Sequence, residues 1–348
     1  MDDLLLHEFA PVSQLIVPET AIEKPRFAAI DAHNHLAEPF GGGWDKRPLS
    51  ELLDRLDEAD IVSYVDLDGG WGEAILQHHL DYFKQGAPQR FHIFGGVDWD
   101  RWPELGSNFA DWAAGRLREQ VRWGAEGLKI WKPFGLHVKD PQGNLAAVDD
   151  VRLDAIWQTA GELNMPVLIH VADPAAFFLP LDAFNERWEE LHAHPDWHFP
   201  SPPYPPFMAI LGQLENLVLR HPRTTFIGAH VGCYAENLAW VGRMLDRCPN
   251  YYVDISARIS ELGRQPYSAR DFFLKYSDRI LFGTDAGPSL DTYHIYYRFL
   301  ETRDEYFRYD GGAIPGQGRW NIYGLFLPED VLEKVYRLNA QRVLKLTT

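Results

Sequence analysis

The sequence predicts a (β/α)8 barrel, and three observations carry that prediction. Short apolar runs recur eight times, each is followed by a longer stretch with helical spacing of its apolar residues, and no dinucleotide-type glycine fingerprint is present. Gly41, Gly42 and Gly43 are consecutive and open no helix. Strict alternation of eight strands and eight helices fits a closed barrel better than an open doubly wound sheet.

The strands are read at Phe27 to Ala32, Ile61 to Leu67, Phe91 to Val97, Gly127 to Trp131, Val167 to Val171, Thr225 to Ala229, Tyr251 to Ile255 and Ile280 to Gly283. They are continuous in apolar character, as strands covered on both faces are. The amphipathic segments are Leu49 to Ala59, Trp71 to Gln85, Phe109 to Gly124, Val151 to Leu163, Phe207 to Arg220, Tyr234 to Arg247, Ala269 to Tyr276 and Pro328 to Leu346. The division is then an N-terminal extension over 1–26 and one barrel over 27–348, with insertions at 172–206 and 286–327. Both insertions exceed ordinary connections, and loops of such length are usually functional. The first is rich in proline and aromatics (Phe177, Phe178, Trp188, Trp197, Phe199, Tyr204) and leaves a strand at the catalytic face of such barrels, so it reads as a lid.

The 348 residues carry 50 acidic against 33 basic side chains, a formal net charge of -17, which disfavours nucleic acid and anionic lipid as partners. A small-molecule substrate is expected instead, since a local arginine or metal ion can reverse the field inside a cleft. The N-terminus has acids where an export signal needs lysine or arginine, and no run approaches a membrane span of about 20 apolar residues. The two cysteines, Cys233 and Cys248, form no disulfide framework, and a reducing cytoplasm is the simplest location.

Chemistry concentrates at strand ends. The first strand closes in Ile30-Asp31-Ala32-His33-Asn34-His35, and a period of two puts both imidazoles on one face, the inward one, as metal ligands are placed. His170 ends the fifth strand, His230 the sixth and Asp285 the eighth. Strand-terminal residues of different strands meet at the top of a barrel. His78, His79, His92, His192, His194, His198 and His221 lie in helices, loops or strand bodies and are read as structural or solvated.

The set His33-x-His35, His170, His230 and Asp285 resembles the amidohydrolase superfamily, and within it the branch that includes aminocarboxymuconate semialdehyde decarboxylase, over Phe27 to Leu346. The resemblance implies one divalent ion held by His33, His35, His170 and Asp285, with His230 beside a metal-bound water. Zinc suits this nitrogen-rich set, and manganese, iron or cobalt fit it too. Asp285 can shuttle a proton and His230 can serve as acid or base. Binuclear members carry a carboxylated lysine at the end of the fourth strand, where Lys129 lies; the reading favours one metal and an uncarboxylated Lys129, with a second metal left open. Lys129 or Lys132 could instead bind substrate or sit at the rim. Arg258 could clamp a carboxylate, or pair with Asp254 or Glu261. Trp99, Trp131 and the lid aromatics could stack on a planar ring.

Two reactions fit. The one preferred from sequence is hydrolysis of an amide, ester or lactone by metal-activated water; the alternative is non-oxidative decarboxylation or hydration of an unsaturated or aromatic acid. A homodimer is expected from the habit of the branch.

Overall fold

The computed structural model describes residues 11–38, 40–312 and 315–346. Residues 1–10 of the N-terminal extension, residue 39, residues 313 and 314 of the second insertion, and the final two residues therefore lie outside the described residues. Eight parallel strands run in the order β1 to β8: Ala29–Asn34, Ile61–Asp66, Phe91–Gly95, Gly127–Ile130, Val167–Ile169, Phe226–Gly228, Tyr251–Asp254 and Ile280–Leu281. Backbone bonds from Ala32 N to Phe282 O and from Asp285 N to His33 O, each 2.9 Å, join the last strand to the first. The predicted (β/α)8 barrel is the observed architecture.

Alternation along the strands divides the core in two. Ile30, Val65, Phe94, Leu168, Ile227 and Leu281, from six strands, meet in one buried cluster, which only the barrel interior permits. Ala340 and Val343 of the C-terminal helical run join it and cover one end. The residues between them in sequence, such as Tyr64, Ile93, Val167 and Val253, pack outward against the helices.

The helices Leu49–Glu58, Phe109–Trp123, Asp154–Glu162, Phe207–Arg220, Leu238–Arg247 and Pro266–Lys275 cover the barrel. Several expected bounds shift. The helix expected from Trp71 begins at Glu73, because Asp68–Trp71 forms a 3-10 turn rich in glycine. The helix expected from Tyr234 begins at Leu238, capped by the Asn237 side chain on Trp240 N.

The second insertion is not a loop throughout. Leu290–Glu301 is a helix, capped by Ser289 on Thr292 N, and it buries Tyr293, Tyr296, Tyr297 and Leu300 at helical spacing. In the first insertion a short helix, Trp188–Ala193, follows a 3-10 turn at Ala175–Phe178. Among the described residues, no helix is long and apolar enough to cross a membrane.

Candidate metal centre

The inward side of the barrel is set by Ile30 and Ala32, so strict alternation would turn His33 outward. It does not, because the pairing of β1 with β2 is irregular between Asp31 and Asn34. Such an irregularity re-aims a side chain at a strand end. Gly283 completes the arrangement: a Cβ there would stand 3.0 Å from His33 Cβ, so glycine lets the segment after β8 approach His33 without displacing it.

Asp31 clamps the two strands. Its carboxylate accepts hydrogen bonds from Asn34 Nδ2 (2.7 Å), Thr284 Oγ1 (2.9 Å) and Tyr293 Oη (2.9 Å). Asn34 Oδ1 in turn accepts from His35 N and Gly287 N. Burial raises Asp31 to about 6, against the pull of these donors.

His33, His35 and Asp285 each offer one ligand atom, all within 4.8 Å of one another. Asp285 Oδ1 lies 3.1 Å from His35 Nε2 and 3.7 Å from His33 Nε2. The opposite ring nitrogens are occupied. His33 Nδ1 meets Asp254 Oδ2 at 2.9 Å, and His35 Nδ1 meets Asp68 Oδ1 at 2.8 Å. Asp68 is fixed by Leu36 N and Ala37 N, and Asp254 by His230 N and Ser256. A carboxylate on Nδ1 leaves the Nε2 lone pair for an ion. Two imidazole nitrogens and one carboxylate oxygen, so oriented, fit a first-row divalent ion.

His230 enters from the end of β6 with φ 58°, and Asp285 has φ 56°. Left-handed backbone at non-glycine residues is costly and clusters at functional sites. His230 Nδ1 donates to Ser256 O at 2.9 Å, and its Nε2 stands 3.8 Å from Asp285 Oδ2. Burial, reinforced by His170, Arg258 and His33, holds His230 well below its ordinary pKa. Burial resists ionisation of Asp285, but His33, His35 and His230 outweigh it and hold the carboxyl well below the usual carboxylate range.

His170 does not join the compact set. Its ring lies against His230, 4.4 Å between centroids, and its Nε2 is 3.3 Å from Asp173 Oδ1. Asp173 is also held by Lys132 Nζ at 2.7 Å, and Lys132 lies 5.0 Å from the Trp197 ring and 5.7 Å from that of Phe199. The rim lysine thus connects the first insertion to His170.

Lys129 is buried with Nζ 3.5 Å from His33 Nε2, and burial lowers it to about 8. Trp131 stacks on His35 at 5.1 Å and on Trp71 at 3.9 Å. Arg258 is buried, and the one hydrogen bond of its guanidinium among the described residues goes to Ala257 O. Neither expected partner engages it: Asp254 serves His33, and Glu261 pairs with Arg187.

The sequence reading passed over Asp31, Asn34 and Asp68 entirely, and weighed Asp254 only as a partner for Arg258. Asp31 and Asn34 carried a usable signal, since polar residues beside and between two strand-end histidines have no outlet in a covered barrel except each other.

The amidohydrolase family profile matches residues 30–346. The chain belongs to the amidohydrolase family. No curated protein matches this family member in sequence. Among solved structures it is similar to the 2,6-dihydroxybenzoate decarboxylase from Rhizobium, with TM-score 0.57 and 17% identity over 92% of this chain and 99% of that one. A dihydroxybenzoic acid decarboxylase from Polaromonas, with bound manganese and the inhibitor 2-nitroresorcinol, gives 0.54 and 18% over 92% and 97%. The 5-carboxyvanillate decarboxylase from Novosphingobium aromaticivorans, complexed with manganese and 4-hydroxy-3-methoxy-5-nitrobenzoic acid, gives 0.52 and 15% over 85% and 80%. At these identities the likeness is one of fold.

In this amidohydrolase, Asp254→Asn is expected to weaken metal binding by about 10- to 100-fold, because the amide no longer fixes His33 with Nε2 free. Titration with a chromophoric chelator measures it; unchanged affinity would remove Asp254 from the centre.

Proposed function

We propose that this amidohydrolase-family enzyme is a metal-dependent, non-oxidative decarboxylase of an aromatic or unsaturated carboxylic acid. The observation that carries the reading is Arg258, a buried guanidinium just beyond β7 that makes no direct ion pair with a carboxylate among the described residues, although Glu190 and Glu236 lie within electrostatic reach. A buried charge is retained only when something pairs with it, and a substrate carboxylate would. The decarboxylases named among the similar structures support the same choice. Hydrolysis by an activated water, the reaction first preferred from sequence, needs no carboxylate on its substrate and so does not by itself call for this arginine.

A divalent ion held by His33, His35 and Asp285, zinc or manganese by the donor set, would polarise a substrate oxygen and stabilise developing negative charge. His170 would become a fourth ligand on releasing Asp173. Arg258 binds and orients the carboxylate. The bond between carboxyl carbon and substrate carbon breaks with its electron pair left on the latter, carbon dioxide departs, and a proton must reach that carbon. That proton is taken up from solvent and relayed through Asp285 Oδ2 and His230 Nε2. The aromatic segment over Lys132 is the proposed lid that excludes water.

The test is a panel of hydroxybenzoates and unsaturated acids against a panel of amides, esters and lactones, using enzyme loaded with manganese or zinc. Carbon dioxide released in step with substrate loss is the expected result. Release of a titratable acid without carbon dioxide would return the reaction to hydrolysis.

A further inference from the structure

We propose that this enzyme has a second, separate site for a soft organic cation of the quaternary-ammonium class, held in a tryptophan-walled cavity formed by the loops after β2, β3 and β4 and the helix Phe109–Trp123. The proposal goes beyond the decarboxylase reading and does not rest on it.

The cavity has a volume of about 420 Å³. An apolar hole of about 150 Å³ already accepts benzene, so a trimethylammonium group with a short tail has room. Trp71, Trp99, Trp112 and Trp131 line the cavity, four of the 12 tryptophans in the chain. Trp71 stacks on Trp131 at 3.9 Å and Trp99 on Phe134 at 4.4 Å, which fixes both indoles. Trp71 is nevertheless 45% exposed. The face of an indole attracts a cation through its ring electrons, and walls of several such rings are how quaternary ammonium groups are recognised. Gly70 packs so closely on its neighbours that a Cβ there would come within 2.6 Å of Trp131 Nε1 and 2.9 Å of Lys129 Cβ. That packing closes the cavity off from the imidazole centre.

Charge selects the sign of the ligand. The lining carries Glu73, Asp98 and Asp100 against Arg116 and Lys129. Arg116 is engaged by two carboxylates, Glu73 and Glu119, and has no charge to spare. Lys129 turns its ammonium to the centre, with Nζ 3.5 Å from His33 Nε2. Asp98 Oδ1 accepts from Asp100 N at 3.2 Å, and neither carboxylate has an ion pair among the described residues. The excess is negative, so an anion is repelled and a cation is drawn in.

The same acids do not build a metal site. Among the described residues, the groups whose ligand atoms lie within 4.8 Å of one another do not include Glu73, Asp98 or Asp100. Indole walls cannot replace the oxygen shell that a small, strongly hydrated ion demands. A large, weakly hydrated cation needs no such shell.

Calorimetry and tryptophan fluorescence on the metal-loaded enzyme test the site with choline and its uncharged isostere, 3,3-dimethylbutan-1-ol. Choline should bind about tenfold more tightly than the alcohol. Asp98 and Asp100 are exposed, and an amide at 98 can still cap the following turn. The double substitution Asp98→Asn with Asp100→Asn should therefore spare the fold, weaken choline by about threefold and leave the alcohol unchanged. Trp71→Ala should weaken both ligands and reduce the fluorescence change. Unfolding temperature is measured on each variant, and if one fails to fold the other carries the test. Equal affinities for choline and the alcohol, or a choline affinity untouched by both sets of substitutions, would overturn the proposal.

Discussion

Purified from medium supplied with zinc or manganese, the protein is expected to hold about one ion per chain, and His33→Ala is expected to hold none. His33 is the hinge of the whole arrangement: its Nδ1 is fixed by Asp254, its Nε2 faces Asp285, and β8 is threaded past its Cβ. Alanine removes one of three converging donors, leaves Asp254 buried without its imidazole partner, and opens space beside Gly283. Loss of the ion should lower turnover by about a thousandfold or more, since charge stabilisation worth several kcal/mol goes with it. Mass spectrometric metal analysis reads the first effect and the substrate panel the second. Lys129→Ala, measured alongside, settles the number of ions. A content that stays near one fits a mononuclear centre, and a content that falls from two fits a carboxylated-lysine bridge. An ion retained in full by His33→Ala would move the centre elsewhere.

The barrel was legible because each strand is a buried apolar run with an abrupt polar end, and that contrast survives without knowledge of any contact. The same contrast marked His33, His35, His170, His230 and Asp285, which the fold carries to one end of one barrel. Period two also placed His33 and His35 on a common face, but which face is inward could not be read. Ile30 and Ala32 hold the inward parity, and a local irregularity after Asp31 returns the histidines to the interior. Such a defect has no composition signature.

The carboxylates behind the imidazoles were hidden for another reason. Asp68 and Asp254 reach His35 and His33 across 33 and 221 residues, so their relation exists only once neighbouring and next-but-one strands are assembled into the closed barrel. The helix Leu290–Glu301 was different. Its buried face at 293, 296, 297 and 300 and its Ser289 cap were present in the sequence, but the face is built mostly of tyrosine, whose middling helix propensity weakens the pattern. Neighbouring Gly287, Pro288 and the glycine-rich stretch near 311 make the whole segment read as loop.

Arg258→Met is expected to leave the ion in place and to lower kcat/KM for carboxylic acids by about 10²- to 10³-fold, which corresponds to the roughly 3–4 kcal/mol typical of a buried charge pair losing one partner. The guanidinium is buried but binds only one backbone carbonyl among the described residues, so its loss breaks no ion pair of the folded chain. Methionine keeps the apolar stem and should spare the fold, in contrast to a truncation that leaves a void. Arg258→Lys should recover only part of the activity, because an ammonium cannot present two parallel donors to a carboxylate. The pattern across substrates is the sharper reading. If Arg258 holds the scissile carboxylate, the loss falls on acids and spares binding of neutral phenols to the same centre. If Arg258 serves packing alone, acids and phenols weaken together, and unfolding temperature falls with them. Metal content, kcat/KM for an acid and affinity for its decarboxylated phenol, measured on the three proteins, separate the two outcomes.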